Sequence, residues 1–403
     1  VAGCGSGSSH KAGGPVTLRI GLFGAFGYKE SGLYQQFEKE HPDIKVVEDD
    51  TEQEADYWSA LRTHLASGSG VDDIQGIELG RVADVAGPMS GAFVDLRSLG
   101  ASADLANFSK VKTTPATTSS GAVMAMGTDL GPMAMCYRTD LFAKAGLPAS
   151  PTWSSWQDYL AMGQKYKGKV SGSSWMDDAA GLYNAVISQS AVQYYDSSHH
   201  FIGGTNPAVK QAWDLSVQAA QQGLSAKLAQ FQTGWNKGFA SGAFATIACP
   251  AWMLAYIKTQ AGQATSGKWN VASIPGTAGD WGGSWLAIPR SSKHQKQAYE
   301  LLRFLTSGAS EAKVFQTVGN YPSNLQGQQQ IANQTDAYFN NAPIGQIFSK
   351  VAASMPTVVL GHNWDTIQQD ITNALVAIET QGKNPDSLWQ STVKQMTSDA
   401  AAQ

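Results

Sequence analysis

Asp280-Trp281-Gly282-Gly283-Ser284-Trp285-Leu286-Ala287-Ile288-Pro289-Arg290, with the residues just after it, decides how this chain is read. Trp285 to Ile288 has the apolar run of a short buried strand. Ser291-Ser292 offers a helix cap. Ala298, Leu301, Leu302 and Leu305 then recur at helical spacing, with Lys and Arg on the other face. Two glycines directly before a buried strand let a backbone come close to something. The tryptophans flanking them set flat apolar rings beside exposed N–H groups. That combination suits a sugar, which has an apolar C–H face and a rim of hydroxyls. The same residues also make a tight turn before a core strand, with both rings buried.

Outward from this stretch, strand and helix patterns alternate. Val16 to Phe23 reads as a strand ending at Gly24-Ala25-Phe26-Gly27-Tyr28, and a helix carrying Leu33, Tyr34 and Phe37 follows. Ile44–Val47 is a second strand, Trp58, Leu61 and Leu65 mark a second helix, and a third strand from Asp73 ends in Glu78. This order implies an α/β lobe rich in parallel strands. Ligands in such sheets sit beyond the C-terminal ends of strands, which places Phe26, Tyr28 and Glu78 on one rim. The 403 residues are too many for one ordinary core, so two domains are expected. Ala122–Met126 and Met133–Tyr137 read as apolar strands around Gly127-Thr128-Asp129-Leu130-Gly131-Pro132, a crossing between those domains. Thr152 or Ser154 offers a cap to the helix carrying Trp156 and Tyr159. Asn206-Pro207 opens a helix that runs to Gly223. Phe239 to Trp252 reads as helix end, glycine turn, buried strand and a new helix start at Pro250. Ile367, Ile371, Leu375 and Ile378 mark one face of a late helix.

Composition excludes several classes. Hydrophobic content of 42% and charged content of 15% belong to a folded chain rather than a disordered one. A formal net charge of −4 leaves no basic footprint for nucleic acid. No apolar run is long enough to span a bilayer. The sequence holds no Gly-x-Ser-x-Gly elbow, P-loop, His-Glu-x-x-His or Cys-x-x-Cys. His199-His200 reads as part of a solvated loop, so no metal and no cofactor are expected. Asp177-Asp178 fits either paired carboxylates for glycoside cleavage or the cap of a helix from Ala179 to Ser190.

Several segments, taken in order, resemble one family. Gly282-Gly283, an aromatic, Leu286-Ala287-Ile288-Pro289, then Ser292-Lys293-His294-Gln295-Lys296-Gln297-Ala298-Tyr299-Glu300-Leu301-Leu302-Arg303-Phe304-Leu305 is one. Tyr137-Arg138-Thr139-Asp140-Leu141-Phe142-Ala143-Lys144-Ala145-Gly146-Leu147 and Pro151-Thr152-Trp153 are others, as is Phe239 to Trp252, where Cys249-Pro250 replaces the usual Gly. Together they resemble the extracellular solute-binding proteins (family 1) of bacterial sugar ABC transporters, the relatives of maltose-binding protein. The resemblance covers nearly the whole chain from Val16. It implies an α/β, two-lobed periplasmic-binding-protein-like fold of type II, each lobe a mixed sheet flanked by helices, with the ligand in the interlobe cleft. The expected division is residues 16–127 plus 285–321 in the N-terminal lobe and 131–279 plus 325–403 in the C-terminal lobe. Hinges are then expected near 127–132, 278–284 and 320–324.

The resemblance also implies roles. Phe26, Tyr28 and Glu78 would serve the first lobe, and Asp129 the hinge. Trp175, Asp177 and Trp252 would serve the second lobe. Gly283, Ser284 and Trp285 would serve the returning hinge, and Trp364 the C-terminal rim. The ligand would be a di- or oligosaccharide captured by hinge closure and delivered to ABC permease subunits, by a monomer that is not an enzyme. Family topology makes the strands carrying Cys136 and Cys249 neighbours, which suggests a disulfide; two buried free thiols are the alternative. Val1-Ala2-Gly3-Cys4 matches the end of a bacterial lipoprotein signal, with residues 5–14 as a tether. Cys4 would then be lipidated and the protein held on the extracellular face of the cytoplasmic membrane by its lipid anchor only; an appended sequence is the alternative. A secreted or surface-anchored glycoside hydrolase explains the same tryptophans and carboxylates, and a surface lectin is a third reading.

Overall fold

The structure, a computed structural model, describes residues 14–402. The lipidation expected at Cys4 lies outside the described residues. The strands are, in chain order, β1 (Val16–Phe23), β2 (Ile44–Thr51), β3 (Ile74–Glu78), β4 (Met126–Gly127), β5 (Asp129–Leu130), β6 (Met133–Arg138), β7 (Ser174–Met176), β8 (Phe244–Pro250), β9 (Trp269–Ala272), β10 (Ser284–Ala287) and β11 (Tyr321–Pro322). They form one sheet in the order β2-β1-β3-β10-β4, a second in the order β7-β8-β6-β9, and a ribbon of β11 on β5. In the first sheet β1 to β3 run parallel and β10 runs against β3 and β4. In the second, β6 runs against both β8 and β9. Helices cover both sheets, which makes each a mixed α/β layer.

Alternation explains β1: Leu18, Ile20 and Leu22 are buried, exposed Thr17 precedes the first of them and exposed Arg19 follows it. The opening stretch forms β10 one residue earlier than its apolar run suggests, and its helix spans Gln295–Leu305. Ser292 does not cap that helix. Its hydroxyl donates to Asp73 at 2.7 Å and accepts from the His294 N–H at 3.2 Å, so it ties the loop to the first sheet. Of Ala122–Met126, only Met126 enters the sheet, while Val123 makes a single bridge to Thr117. Helix Trp156–Tyr166 is capped by Ser155 rather than Thr152 or Ser154, because Ser155 can exchange bonds with Asp158 in a capping box.

Three passages join the sheets, and they are stitched together. Tyr321 pairs with Leu130 and Pro322 with Asp129. The Trp281 N–H donates to the Gly131 carbonyl at 2.8 Å and the Thr128 N–H to the Ser284 carbonyl at 2.9 Å. Behind this junction lies buried Lys112, its ammonium 3.5 Å from the centre of the Trp285 ring. Burial lowers its pKa to about 8, against the pull of Asp129, Asp280 and Glu311.

Cys136 and Cys249 are joined in a disulfide between β6 and β8, with Cα atoms 5.5 Å apart. The C-terminal segment touches both halves of the molecule. Helix Trp364–Gln381 shares a core with Tyr183 and Trp213, and its first turn reaches the first sheet's side, where Asp365 meets Arg81 at 3.0 Å. That helix therefore packs against elements that flank both sheets. No described helix is long and apolar enough to cross a membrane.

Candidate functional site

A cavity of about 410 Å³ lies between the two sheets. One wall comes from the loops after β1 and β3. Phe23 and Phe26 meet edge-on there, with ring centres 5.2 Å apart. Glu78, at the C-terminal end of β3, accepts from the Gly80 N–H at 2.6 Å and so caps helix Leu79–Val85. Burial, then the charges of Asp365 and Glu54, push its pKa up to about 8. Arg81 sits behind, held by both Glu54 oxygens at 3.0 Å and by Asp365 at 3.0 Å.

The floor is the junction. The Asp129 carboxylate accepts from the Ser284 N–H at 2.8 Å and the Thr128 hydroxyl at 3.0 Å, and burial raises its pKa. Gly282 and Gly283 line the floor at φ +81° and +91°, a conformation that side chains resist. A Cβ on Gly283 would stand 3.0 Å from the Asp129 carbonyl oxygen. The glycines therefore serve the packing of one crossing on another as well as the cavity.

The opposite wall is aromatic. Phe231, Trp252, Tyr256 and Trp281 line it. The Trp252 ring lies 5.4 Å from Trp281, 5.9 Å from Tyr256 and, stacked, 6.2 Å from Phe231. Its indole N–H donates to the Trp281 carbonyl at 2.8 Å, which fixes the ring. Trp252 precedes helix Met253–Ala261, and Tyr256 follows one turn later on the same face. Phe231 holds φ +63°, an outlier for a bulky residue. The walls meet at one edge: a Cβ on Gly24 would stand 3.3 Å from the Tyr256 hydroxyl. Two buried lining side chains, Asn184 and Asn320, keep a side-chain carbonyl oxygen without a partner among the described residues. A buried acceptor left this way is costly unless something else donates to it.

Of the residues expected at the site, Phe26, Glu78, Asp129, Trp252, Gly283 and Ser284 line this cavity. Five expected there do not. Tyr28 packs in the first-lobe core against Phe26 and Tyr34. Trp175 is core, with ring centres of Tyr159, Phe142 and Tyr166 at 5.1, 5.5 and 5.8 Å. Trp285 alternates with Ser284 along β10, so Ser284 takes the cavity side, and the Trp285 indole N–H donates to the Lys112 carbonyl at 3.0 Å. Trp364 packs on Tyr194, while Asp365, Gln368, Gln369 and Thr372 form the neighbouring stripe that lines the cavity. Asp177 accepts from Trp235 and from Gln230, each at 2.9 Å, so it reaches the cavity only through Gln230. Its neighbour Asp178 caps helix Ala179–Ile187, accepting from the Gly181 N–H at 2.7 Å.

Sequence reasoning missed Asn184, Gln230, Phe231, Tyr256 and the Asp365–Thr372 stripe. Tyr256 had a signal, its one-turn spacing from Trp252, and the stripe had its polar i, i+3, i+4, i+7 pattern. Gln230 and Phe231 lie in a loop without periodicity. Among the described residues, no three His, Cys, Asp or Glu side chains converge as a metal site.

A model of the family described as bacterial extracellular solute-binding protein matches residues 32–343. A crystal structure described as extracellular solute-binding protein family 1 is 36% identical, covers 96% of this chain and 100% of its own, and superposes with a TM-score of 0.83. The arabinooligosaccharide-binding protein of Bacillus subtilis is 24% identical over 96% of this chain and 93% of its own. The ABC transporter-associated binding protein of B. animalis subsp. lactis, solved with β-1,6-galactobiose, shares the fold at TM-score 0.80 and 19% identity, over 94% of this chain and 96% of that one.

Proposed function

Because this chain belongs to the bacterial extracellular solute-binding proteins, we propose that it is the receptor of a sugar ABC importer. It captures a di- or oligosaccharide between its lobes and delivers it to permease subunits, making and breaking no bond. The observation that carries this reading is the pairing of an aromatic wall with a wall of carboxylates and amides around one cavity. Stacked rings take the apolar face of a sugar, and Glu78, Asn184 and Asn320 offer bonds to its hydroxyls. Sugar-binding relatives support the same class of ligand.

Contacts from both walls are complete only when the lobes are closed, so the ligand shifts an open–closed equilibrium. The passages near 127–132, 278–284 and 320–324 are the hinges, and the receptor acts as a monomer. Cys4 carries the lipid that keeps it beside its permease.

A thermal-shift screen against arabino- and galacto-oligosaccharides tests this reading, since a ligand bound only to the native state raises the midpoint. A binding sugar should also lower the radius of gyration and change tryptophan fluorescence at one saturating concentration. New reducing ends on incubation would instead establish the hydrolase reading. Binding without compaction would favour a lectin.

A further inference from the structure

The ionisable side chains that line the cavity are all acidic. Glu52, Glu54, Glu78, Asp129 and Asp365 face it, and among the described residues no Lys, Arg or His lines it. The two nearest cations are already engaged. Arg81 is bonded to Glu54 and Asp365, and Lys112 lies behind Gly283 over the Trp285 ring. At one end, therefore, three carboxyl groups share a single guanidinium, and among the described residues the Glu78 carboxyl has only the Gly80 N–H as a hydrogen-bond partner. The buried Asn184, its side-chain carbonyl oxygen unpartnered, also lines the cavity. This arrangement lacks a cation with hydrogens to donate.

We infer that the cleft sorts glycosides by charge, taking those that carry an ammonium group at the Glu78 end ahead of neutral ones and refusing uronic acids. The inference rests on the sugar-receptor reading above. Its physical basis is that an ammonium group supplies the missing charge and donates up to three hydrogen bonds where acceptors wait. A uronate would instead bring another carboxylate beside Glu54 and Asp365, whose one shared guanidinium is already engaged, and like charges in a desolvated site repel strongly. Neutral glycosides meet Glu78 in its protonated form, since burial and its acidic neighbours hold that carboxyl to about 8, with Arg81 and the more distant Lys112 pulling the other way. An ammonium ligand reverses this balance, so Glu78 releases its proton to solvent as the ligand binds.

Calorimetry on the whole chain decides, using matched neutral, aminodeoxy and uronic members of gluco, galacto and arabino disaccharide series. In the series that binds, the aminodeoxy member should be about tenfold tighter than the neutral one, and the uronate about tenfold weaker. Titrations at pH 7 in two buffers of different ionisation enthalpy should give about one proton released per aminodeoxy ligand, and close to none for the neutral one. In Glu78→Gln both the proton release and the amine preference should vanish; a helix-capping role alone would not move the proton count. Neutral and aminodeoxy members that bind equally, or a uronate as tight as either, would overturn the charge inference and leave the receptor reading intact. Failure of every member to bind would remove the receptor reading and this inference with it.

Discussion

The two walls of the cavity differ in chemistry and in construction. The first-lobe wall sets carboxylates beside Phe23 and Phe26 and sits where a parallel sheet presents its strand ends: Phe26 follows β1 and Glu78 ends β3. The second-lobe wall is aromatic and is assembled from three separate places: a loop with Phe231 at positive φ, a helix start at Trp252, and the crossing at Trp281. The contrast teaches that one wall is a consequence of topology and the other of local backbone shape. A sheet places strand-end residues by rule. The aromatic wall exists because Asp177 anchors Gln230 and Trp235 on either side of Phe231, and because the indole of Trp252 is tied to the next crossing.

The largest effect that probes this contrast is on stability. Trp175, expected at the ligand, is core, so Trp175→Ala should cost about 3–5 kcal/mol in chemical denaturation, with ligand affinity of the folded protein unchanged. Loss of affinity at full stability would return Trp175 to the aromatic wall. Gly283→Val comes next. It forces a branched residue into φ +91° with its Cβ 3.0 Å from the Asp129 carbonyl oxygen, at a cost of about 1–3 kcal/mol, and should block the compaction on ligand binding seen by scattering. A valine protein that binds and compacts normally would make the double glycine only a turn.

Trp252→Ala should weaken sugar binding by about 1–3 kcal/mol, as truncation of an aromatic anchor does, with calorimetry as the measure. Unchanged affinity would move the ligand off the aromatic wall. A last test is of pH. Burial raises Asp280 to about 6, Glu379 to about 7 and Glu78 to about 8. A raised carboxyl pKa contributes stability that is fully present below the unfolded value and is lost as pH rises through the folded one. Lys112, lowered to about 8, contributes stability above its unfolded value and loses it as pH falls through about 8. It is therefore already charged across the carboxyl window. The melting midpoint should fall between pH 5 and pH 8, and a flat or rising profile would show that these carboxyls are solvated.

The order of elements and the returning strand were legible because period and spacing carry them, while the two lobes followed from the family resemblance. The alternation in β1, the apolar run at Trp285 and the helical repeat at Ala298 to Leu305 are backbone periodicities. Strand-end logic likewise reached Phe26 and Glu78. What failed was the choice among tryptophans. Trp252 lines the cavity and Trp175, Trp285 and Trp364 do not, yet each stands beside polar residues in sequence. Strand alternation turns Trp285 inward beside Ser284, and a step of one residue along the helix separates Trp364 from Asp365. Phe231 was beyond reach, because its place depends on a left-handed backbone held by Asp177 through residues on either side.

Everything above turns on a glycoside occupying the cavity between these walls. A crystal structure grown with the oligosaccharide that raises the melting midpoint most tests it directly. A sugar ring should stack on Trp252, with its hydroxyls or amine bonded to Glu78 and Asn184. Sugar density at any other surface, with this cavity filled by water alone, would contradict it.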